Sequence, residues 1–575
     1  MYERNYDLLN GKFKELFLPT LFTSMTGNIC MVVDSIIVSN LIGAVALSAI
    51  QPVAPLSTFV NLIYWMIGLG GSVMCSIAKA EFDNEKSNRI FSVSIISLIL
   101  IGILLSIVGT LFSGSVVSIL CPSAQIQPLV LQYYSVYILQ IPFLCYMMCL
   151  SYFIRSDGFA DLPFRALLIS NVFNLIFDII FISVFNLGIS GAALATIVGY
   201  ILGCIYMSTY FLSPKRTLKF IIVKAKSFVG TLASICKTGF SGASTQLYFT
   251  IKIFLINLLI TWYIGQSGLV AFNICYNSLF ILYMFLIGTA QTMSPIVSVY
   301  YQEEDYKSVE FIKNKSLKIV LISSLALSIL FIVYPQILLY LYQVNNPSDI
   351  PIVMNAVRIF SISYVGIAIT FLYTFYAQAI QKDKLSNTIS LLEGFILPTM
   401  LVLILSSLFG ANGIWISFAI AEALTIVYIF AYSKYINNKT NGEYSGFFIN
   451  KHNDEEKVFA HTINGDIKEA VNLSREVQNY LSGNKSAALV SLAIEEILVN
   501  IININENVYT IDVIVRNNVD KILISVKDTG IDFNPVIENE NLEFDNISVL
   551  NRIAEKIDYS RVLGLNSTVI TINNN

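Results

Sequence analysis

The sequence predicts an all-α polytopic membrane protein that ends in a small soluble α/β domain. Hydrophobic residues make up 55% of the 575, charged residues only 13%, and the mean hydropathy is +0.69, which excludes an ordinary soluble protein. Apolar runs of about 20 residues or more, long enough to cross a bilayer as helices, recur up to Tyr435. The net charge then changes sign. Residues 1–440 carry 24 lysines and arginines against 18 acidic residues, and residues 441–575 carry 11 against 20.

Twelve transmembrane helices are predicted from the apolar runs. They are expected near residues 16–40, 52–78, 90–120, 131–154, 164–185, 189–213, 234–263, 269–299, 316–342, 352–380, 386–408 and 412–435. Every second connection is basic, beginning with the one that contains Lys79, Lys86 and Arg89, and the alternate connections contain no lysine or arginine. By the positive-inside rule, we expect both termini in the cytoplasm of a cell with a bacterial-type inner membrane.

The membrane part repeats itself. GLGGSVMCSIAKAEFDNEKS at 68–87 is echoed by GTAQTMSPIVSVYYQEEDYKS at 288–308, and LGISGAALAT at 187–196 by FGANGIWISF at 409–418. An offset near 220 residues predicts two homologous six-helix bundles. We call residues 1–215 the N-terminal lobe and residues 216–436 the C-terminal lobe. Repeats of this kind in transporters usually move against each other around a site at their interface.

Few ionisable residues fall inside the predicted spans. They are Asp34, Asp178, Lys252, Glu393 and Glu422. Because a charge in the bilayer centre costs at least about 2.5 to 3.5 kcal/mol, each is expected to face a partner, an ion or water. Asp34, Asp178 and Thr196 reach similar depths in the membrane. Asn174 lies four residues before Asp178, so the two share one helix face.

These oxygen atoms, all in the N-terminal lobe, have two possible uses. They could replace the hydration shell of a small cation, or the carboxylates could take up protons. The alternative is a polar cluster that only holds three helices together. The C-terminal lobe does not repeat the pattern, since an offset of 222 residues leads to Ile396 and Met400. There a structural ion pair between Lys252 and Glu422 is expected, with substrate contact as the alternative, while Glu393 is expected to line a watery inner vestibule.

Two segments of the membrane part resemble the multidrug and toxic compound extrusion (MATE) transporters. They are LPTLFTSMTGNICMVVDSIIVSNLIGAVALSAIQPVAPL at the first span and NVFNLIFDIIFISVFNLGISGAALAT at the fifth and sixth, and the resemblance extends to about residue 435. In that family a first-helix aspartate, an N-x-x-x-D in helix five and a threonine in helix six form a cation site. The corresponding residues here are Asp34, Asn174, Asp178 and Thr196. The resemblance implies export of organic, often cationic, compounds in exchange for Na⁺ or H⁺, with Asp34 and Asp178 as ligands if the ion is sodium.

The tail is predicted to fold as two helices on a mixed sheet. It is expected at residues 456–575, after a linker at 437–455. The segments KVFAHTIN, TIDVIVRNN, KILISVKD and STVITIN alternate like strands. One helix is expected from Ile467 to Leu481, and the other within SAALVSLAIEEILVNIININ.

Two short motifs of the tail bear chemistry. Glu496 and Asn500, at i and i+4, place a carboxylate and an amide on one helix face, which could position a base beside a Mg²⁺ ligand. Asp528 ends a strand and could accept a hydrogen bond from the amino group of a base, and Gly530 allows close backbone approach.

In this order the motifs resemble the GHKL ATPase fold, most closely the anti-sigma-factor serine kinases. The resemblance implies Mg²⁺-ATP as cofactor, with Glu496 as catalytic base, Asn500 as Mg²⁺ ligand and Asp528 as adenine contact. The chain departs from the family where glycines are usual, because Asp532, Phe544 and Asn546 stand there. A module that binds a partner protein without acting on nucleotide is therefore the alternative.

The sequence thus favours a cation-coupled antiporter for drug-like compounds, with a nucleotide-binding-like regulatory tail. The rivals are a membrane-anchored sensor or serine kinase in an anti-sigma-type network, and a lipid-linked precursor flippase of the same superfamily. The expected partners are a small organic substrate, membrane lipid and a cytoplasmic regulatory protein. Nucleic acid is not expected, because the soluble domain is acidic.

Overall fold

A computed structural model describes most of the chain. The described residues are 4–42, 51–120, 127–264, 266–342, 347, 349–451, 458–505, 510–518, 520–531, 534 and 546–574. Within some helices, for example at 27–40, only the backbone is described.

The N-terminal lobe is helical throughout its described part. Its helices are α1 (Asp7–Ile42), α2 (Ala54–Tyr64), α3 (Gly70–Ala80), α4 (Asn84–Leu111), α5 (Ser113–Leu120), α6 (Gln127–Tyr137), α7 (Ile141–Ser156), α8 (Asp161–Ile179) and α9 (Gly188–Ser208). A π-helical turn, Trp65–Leu69, joins α2 to α3, and a second, Ile180–Val184, extends α8.

The C-terminal lobe follows the same plan. Its helices are α10 (Ala225–Tyr263), α11 (Gln266–Gln302), α12 (Tyr306–Val333), α13 (Gln336–Leu341), α14 (Asp349–Phe360), α15 (Ser363–Ala379), α16 (Asp383–Leu391), α17 (Leu397–Phe409) and α18 (Ala411–Lys439). A π-helical turn, Leu392–Ile396, joins α16 to α17, and α14 and α15 meet at a 45° bend.

The described residues contain ten helical segments that are long and apolar enough to span a membrane, or eleven if the bent pair α14 and α15 counts as one span. One of the ten, Ala487–Ile504, belongs to the tail, where it packs on a sheet. The long helices α1 and α10, at the first and seventh predicted spans, are not among them. The count of twelve therefore stays a prediction.

The echo between the lobes is visible in the backbone. Asp83 and Asp305 cap the first turns of α4 and α12, and each side chain accepts a hydrogen bond from the amide three residues later. The residues before them, Phe82 and Glu304, both have positive φ, 58° and 59°. One turn-and-cap motif thus occurs at corresponding ends of the two lobes.

The tail begins with a small hairpin and continues as a five-stranded sheet. Its elements are β1 (Tyr444–Ser445), β2 (Asn450–Lys451), β3 (Val458–Ile463), α19 (Ile467–Tyr480), α20 (Ala487–Ile504), β4 (Ile511–Asn517), β5 (Lys521–Asp528), α21 (Asn546–Ile553), β6 (Lys556–Val562) and β7 (Leu565–Asn573). The sheet order is β3-β4-β5-β7-β6. The four strands and two helices expected from the sequence are confirmed, and β6 is an addition.

The expectation of a mixed sheet is wrong, because every neighbouring pair of strands is antiparallel. The helical pair α19 and α20 accounts for this: two helices returning on one another bring the chain back to the end of the sheet where β3 finished, so β4 runs against β3. Within the predicted linker, the hairpin of β1 and β2 is packed on the C-terminal lobe through buried Phe448 and Ile449.

Candidate functional site

The predicted amide and hydroxyl of the N-terminal lobe meet between α8 and α9. The side-chain nitrogen of Asn174 donates a hydrogen bond to Oγ1 of Thr196 over 3.3 Å. The Thr196 hydroxyl in turn donates to the carbonyl of Ala192, 3.1 Å away on its own helix. Its proton is thereby directed to the backbone and a lone pair toward Asn174.

Asp178 lies one turn beyond Asn174 and is completely buried. The exposed large residues of α8 lie on its lipid-facing side: Val172, Phe173, Ile176 and Ile179. The Asp178 carboxylate is therefore on the face that packs into the bundle. The π-helical turn Ile180–Val184 begins two residues later, and such turns are frequent at functional sites because they re-aim side chains.

Asp34, the fourth predicted member, lies in α1, which packs against α8. Its side chain is outside the described part of the structure. The structure thus brings Asn174 and Thr196 into contact, with Asp178 on the same helix face as Asn174.

Two further residues shape this site. Gly199 lies where α9 crosses α8 most closely: a Cβ placed on it would come within 2.5 Å of the Ser170 carbonyl and 3.1 Å of the Asn174 Cβ. Asn171, one turn before Asn174, has a buried side-chain nitrogen with no hydrogen-bond partner among the described residues. Its spacing of three from Asn174 and seven from Asp178 was a usable sequence signal, whereas the crossing at Gly199 depends on tertiary packing.

The C-terminal lobe contains a second charged cluster. Lys252 on α10, Glu393 in the turn Leu392–Ile396 and Glu422 on α18 are 7%, 5% and 4% exposed. Lys252 Nζ approaches the backbone carbonyl of Glu393 at 3.5 Å. Glu422 accepts a 2.8 Å hydrogen bond from Thr370 and interacts electrostatically with both Lys252 and Glu393.

The expected pair of Lys252 and Glu422 is thus part of a triad that includes Glu393. The expectation that Glu393 lines a watery vestibule is not met in this conformation, because the side chain is buried where its π-helical turn packs against α10 and α18. Gly366 makes room for the cluster, since a Cβ there would lie 2.4 Å from the Cβ of Glu422.

Asp528 ends β5 and is 2% exposed. Oδ1 accepts hydrogen bonds from the Gly530 amide, 2.7 Å away, and from the side-chain amide of Asn566, 2.9 Å away. Burial raises the pKa of Asp528 to about 6, although both hydrogen bonds oppose the change. Both bonds end on Oδ1, so Oδ2 is the atom that could accept from an amino group.

Glu496 and Asn500 are both half-buried on α20. Burial, followed by the neighbouring Glu495, raises the pKa of Glu496. The side-chain nitrogen of Asn500 is buried without a hydrogen-bond partner among the described residues. The positions where the family has glycines are not covered: Asp532 and Phe544 lie outside the described residues, and only the backbone of Asn546 is described. Within the described residues no three histidine, cysteine or acidic side chains group as a metal site.

Comparison with known proteins bears on the membrane part. The model of the MatE family matches residues 19–180 and again residues 243–404. The two matches are offset by 224 residues at both ends, which agrees with the internal repeat.

Individual relatives cover the same region. The chain is 23% identical over 408 residues to the "Multidrug export protein MepA" of Staphylococcus haemolyticus, a match that covers 71% of this chain and 89% of that protein. Over 411 residues it is also 23% identical to the protein of the same name from Staphylococcus aureus.

Solved structures share the fold. One is described as the outward-facing conformation of a multidrug resistance MATE family transporter of the MOP superfamily, with TM-score 0.68 and 17% identity over 75% of this chain and 96% of that one. A MATE structure in the bent conformation has TM-score 0.68 and 18% identity over the same shares. Because the family model matches more than half of its residues, in two copies, this chain belongs to the MATE family of multidrug efflux transporters.

Proposed function

We propose that this protein is a cation-coupled antiporter that exports organic, often cationic, compounds by alternating access, with Na⁺ or H⁺ as the coupling ion. The contact between Asn174 and Thr196, one turn from the fully buried Asp178, is the observation that carries the proposal. A buried carboxylate beside an amide and a hydroxyl oxygen offers either a hard-cation ligand set or a proton acceptor. Asp34 on α1 is the proposed fourth member.

Coupling follows if the ion and the exported compound prefer different conformations. An ion that enters from outside would neutralise Asp178 and draw α1, α8 and α9 together, and so disfavour the conformation that holds the compound. For sodium, the Asn174 and Thr196 oxygens would serve as ligands. For a proton, Asp178 would be the acceptor. In either case the two lobes, residues 1–215 and 216–436, would move against each other.

The test is ion-driven efflux in everted vesicles with Asp178→Asn. We expect coupling to be lost, because an amide neither titrates nor compensates a cation. Asp161→Asn is the matched control, since Asp161 is a half-exposed carboxylate on the same helix that pairs with Arg165 at its surface. Ion-dependent efflux that is unchanged in Asp178→Asn would remove this site from the mechanism. Separate Na⁺ and pH gradients identify the ion.

The triad of Lys252, Glu393 and Glu422 is the proposed contact for the exported compound. Two carboxylates against one lysine leave an excess negative charge in a buried place, which favours a cationic ligand. We expect Glu422→Gln to raise the KM for a cationic compound while the half-saturating ion concentration stays unchanged. An equal effect on both would instead indicate a structural ion cluster.

For the tail we propose a nucleotide-binding-like regulatory domain. Its support is the Asp528 carboxylate with Oδ2 available, together with Asn500, whose buried amide nitrogen lacks a partner among the described residues. If Mg²⁺-ATP binds, Asn500 would face the metal, Asp528 the adenine and Gly530 the close backbone contact, and Glu496 could position a hydroxyl as a base. Bound ATP would supply a phosphoryl group.

The second candidate function, a membrane-anchored sensor or serine kinase that acts on a cytoplasmic protein, rests on the same tail residues. Binding of ATP to the full chain, lost in Asn500→Ala, would favour it together with a nucleotide-regulated antiporter. Absence of binding at millimolar ATP would contradict both nucleotide roles and leave a partner-binding module. Phosphorylation of an added protein, lost in Glu496→Ala, would distinguish the kinase from a regulatory domain.

A further inference from the structure

The tail sheet contacts both lobes at one end of the membrane part. Lys527 on β5 forms an ion pair with Glu303, just after α11 of the C-terminal lobe, and its ammonium lies 3.6 Å from the centre of the Tyr300 ring. Ser560 on β6 donates a 3.1 Å hydrogen bond to the carbonyl of Lys79, at the end of α3 of the N-terminal lobe. One rigid sheet therefore spans the gap between the lobes.

Arg4 ties a third segment into this contact. Its guanidinium donates to Asp305 over 2.7 Å and to Ser308 over 2.8 Å, both in the C-terminal lobe, and it also pairs with Asp512 on β4 of the tail. The three charged side chains are 4%, 8% and 1% exposed. Burial opposes the charge of Asp305, but the attraction of Arg4 prevails and lowers the pKa of this carboxyl to about 2. A buried group of this kind is costly to break, because removing one member leaves a charge uncompensated.

The tip of the β6–β7 hairpin inserts into the N-terminal lobe. Val562 and Leu563 are 3% and 1% exposed and belong to the apolar core of the membrane part rather than to that of the tail. Gly564 lies against Gly158, at the end of α7: a Cβ on Gly158 would be 2.6 Å from the Gly564 amide nitrogen. Both glycines have positive φ, so the backbones of tail and lobe touch where no side chain fits.

At this same end the two lobes touch each other directly. Arg155 on α7 donates to the side chain of Gln291 on α11, and Gln302 donates to Glu81 over 3.2 Å. The membrane part is therefore closed at the end where the tail docks. A conformation open at this end would separate Lys79 and Gly158 from Glu303, and the sheet could then keep its contacts with only one lobe.

We propose that the tail is a latch that holds the two lobes closed at their cytoplasmic end, and that each transport cycle requires its release from one lobe. The proposal rests on the proposed transport by alternating access. It assigns to Lys527, Arg4 and the hairpin tip a role in setting the balance between the two access states, since a contact made in one state shifts the equilibrium toward that state.

The test compares hydrogen exchange in the purified full-length protein for Lys527→Gln and Lys521→Gln. Both lysines lie on β5 and both changes remove one charge, but Lys521 is exposed and pairs with Glu555 inside the tail. For Lys527→Gln we expect exchange at least about tenfold faster at the hairpin tip and at residues 79–83, because Glu303 is left buried without its partner. Lys521→Gln should match the wild type at both places.

The charge swap Lys527→Glu with Glu303→Lys should restore the protection, which separates loss of the latch from misfolding. Wild-type protection in Lys527→Gln, or faster exchange spread through β3 and β4 that the swap does not restore, would overturn the proposal. The measurement needs neither substrate nor gradient. Absence of ion-driven efflux in the wild type would therefore contradict the antiporter and not the docking, whereas unchanged exchange would contradict the latch and leave the antiporter standing.

Discussion

The substitution Gly199→Ala tests whether the crossing of α8 and α9 builds the ion site. The new Cβ would lie 2.5 Å from the Ser170 carbonyl, and ordinary contact begins at 3.4 Å, so the helices must separate locally by about 0.9 Å. The contact of Asn174 with Thr196 is one turn away and is already 3.3 Å long. A shift of even a third of that size takes the pair beyond hydrogen-bond distance.

Overpacking of this kind typically costs about 1 to 3 kcal/mol. If most of it falls on the ion-bound state, the half-saturating concentration of the driving ion rises about 5-fold to 150-fold, since about 1.4 kcal/mol corresponds to tenfold. The assay is efflux in everted vesicles as the driving ion is titrated, together with thermal unfolding of the purified protein with and without that ion.

Gly203→Ala is the matched control. It lies one turn further along α9, and its Cβ would meet the Met147 sulfur and the Ser170 Cβ at 3.0 Å. The neighbours need to move by about 0.4 Å, and a methionine side chain adapts easily. We expect a much smaller change in ion dependence. A Gly199→Ala protein that folds and keeps wild-type ion dependence would refute the argument, as would equal effects of the two substitutions.

Three further predictions follow from the buried groups. Gly366→Ala should weaken cationic-substrate transport and lower thermal stability, because its Cβ would overlap Glu422; vesicle uptake and unfolding measurements check both, and wild-type values would contradict it. Asn171→Ala should raise the half-saturating ion concentration less than Asp178→Asn does, since it removes a neutral neighbour of the site; an ion titration compares the two. Asp528→Asn should stabilise the tail at pH 7, because the folded state binds the Asp528 proton more tightly than the unfolded state, so wild-type stability falls as the pH rises from about 4 through 6; the gain is about 2 to 3 kcal/mol in urea unfolding with pulse proteolysis at pH 4.5 and 7, and equal wild-type stability at the two pH values would contradict it.

Local pattern predicted the elements that depend on local pattern. Alternation located β3, β4, β5 and β7, and helical periodicity located α19 to within one residue. Strand β6 was missed because KIDYSRV lies at the sheet edge with charged residues on the exposed side, so it does not alternate like a half-buried strand.

The same limit applies to the functional residues. The spacing of Asn174 and Asp178 shows that they share a helix face, but the approach of Thr196 depends on Gly199 and the helix crossing, which no local pattern encodes. The docking of the tail depends on pairs such as Arg4 with Asp512, which are 508 residues apart. Composition identified the tail as a separate acidic domain and could not indicate which of its buried charges face the membrane part.

The family match also refines the comparison of the lobes. With its offset of 224, the counterparts of Asn174 and Asp178 are Pro398 and Val402, rather than the positions 396 and 400 expected from the sequence echo. Both are buried and apolar. The conclusion that the pattern is absent from the C-terminal lobe is unchanged.

The asymmetry also runs in the opposite direction. The counterparts of Lys252 and Glu393 in the N-terminal lobe are Asn28 and Ile169, so neither charged cluster is a duplicated one. Two lobes with one backbone plan and different buried charges can respond differently to one ion, and a differential response is what coupling requires. A tail that bridges the ends of both lobes then acts on the one quantity they share, which is the free-energy difference between the closed and the open cytoplasmic end.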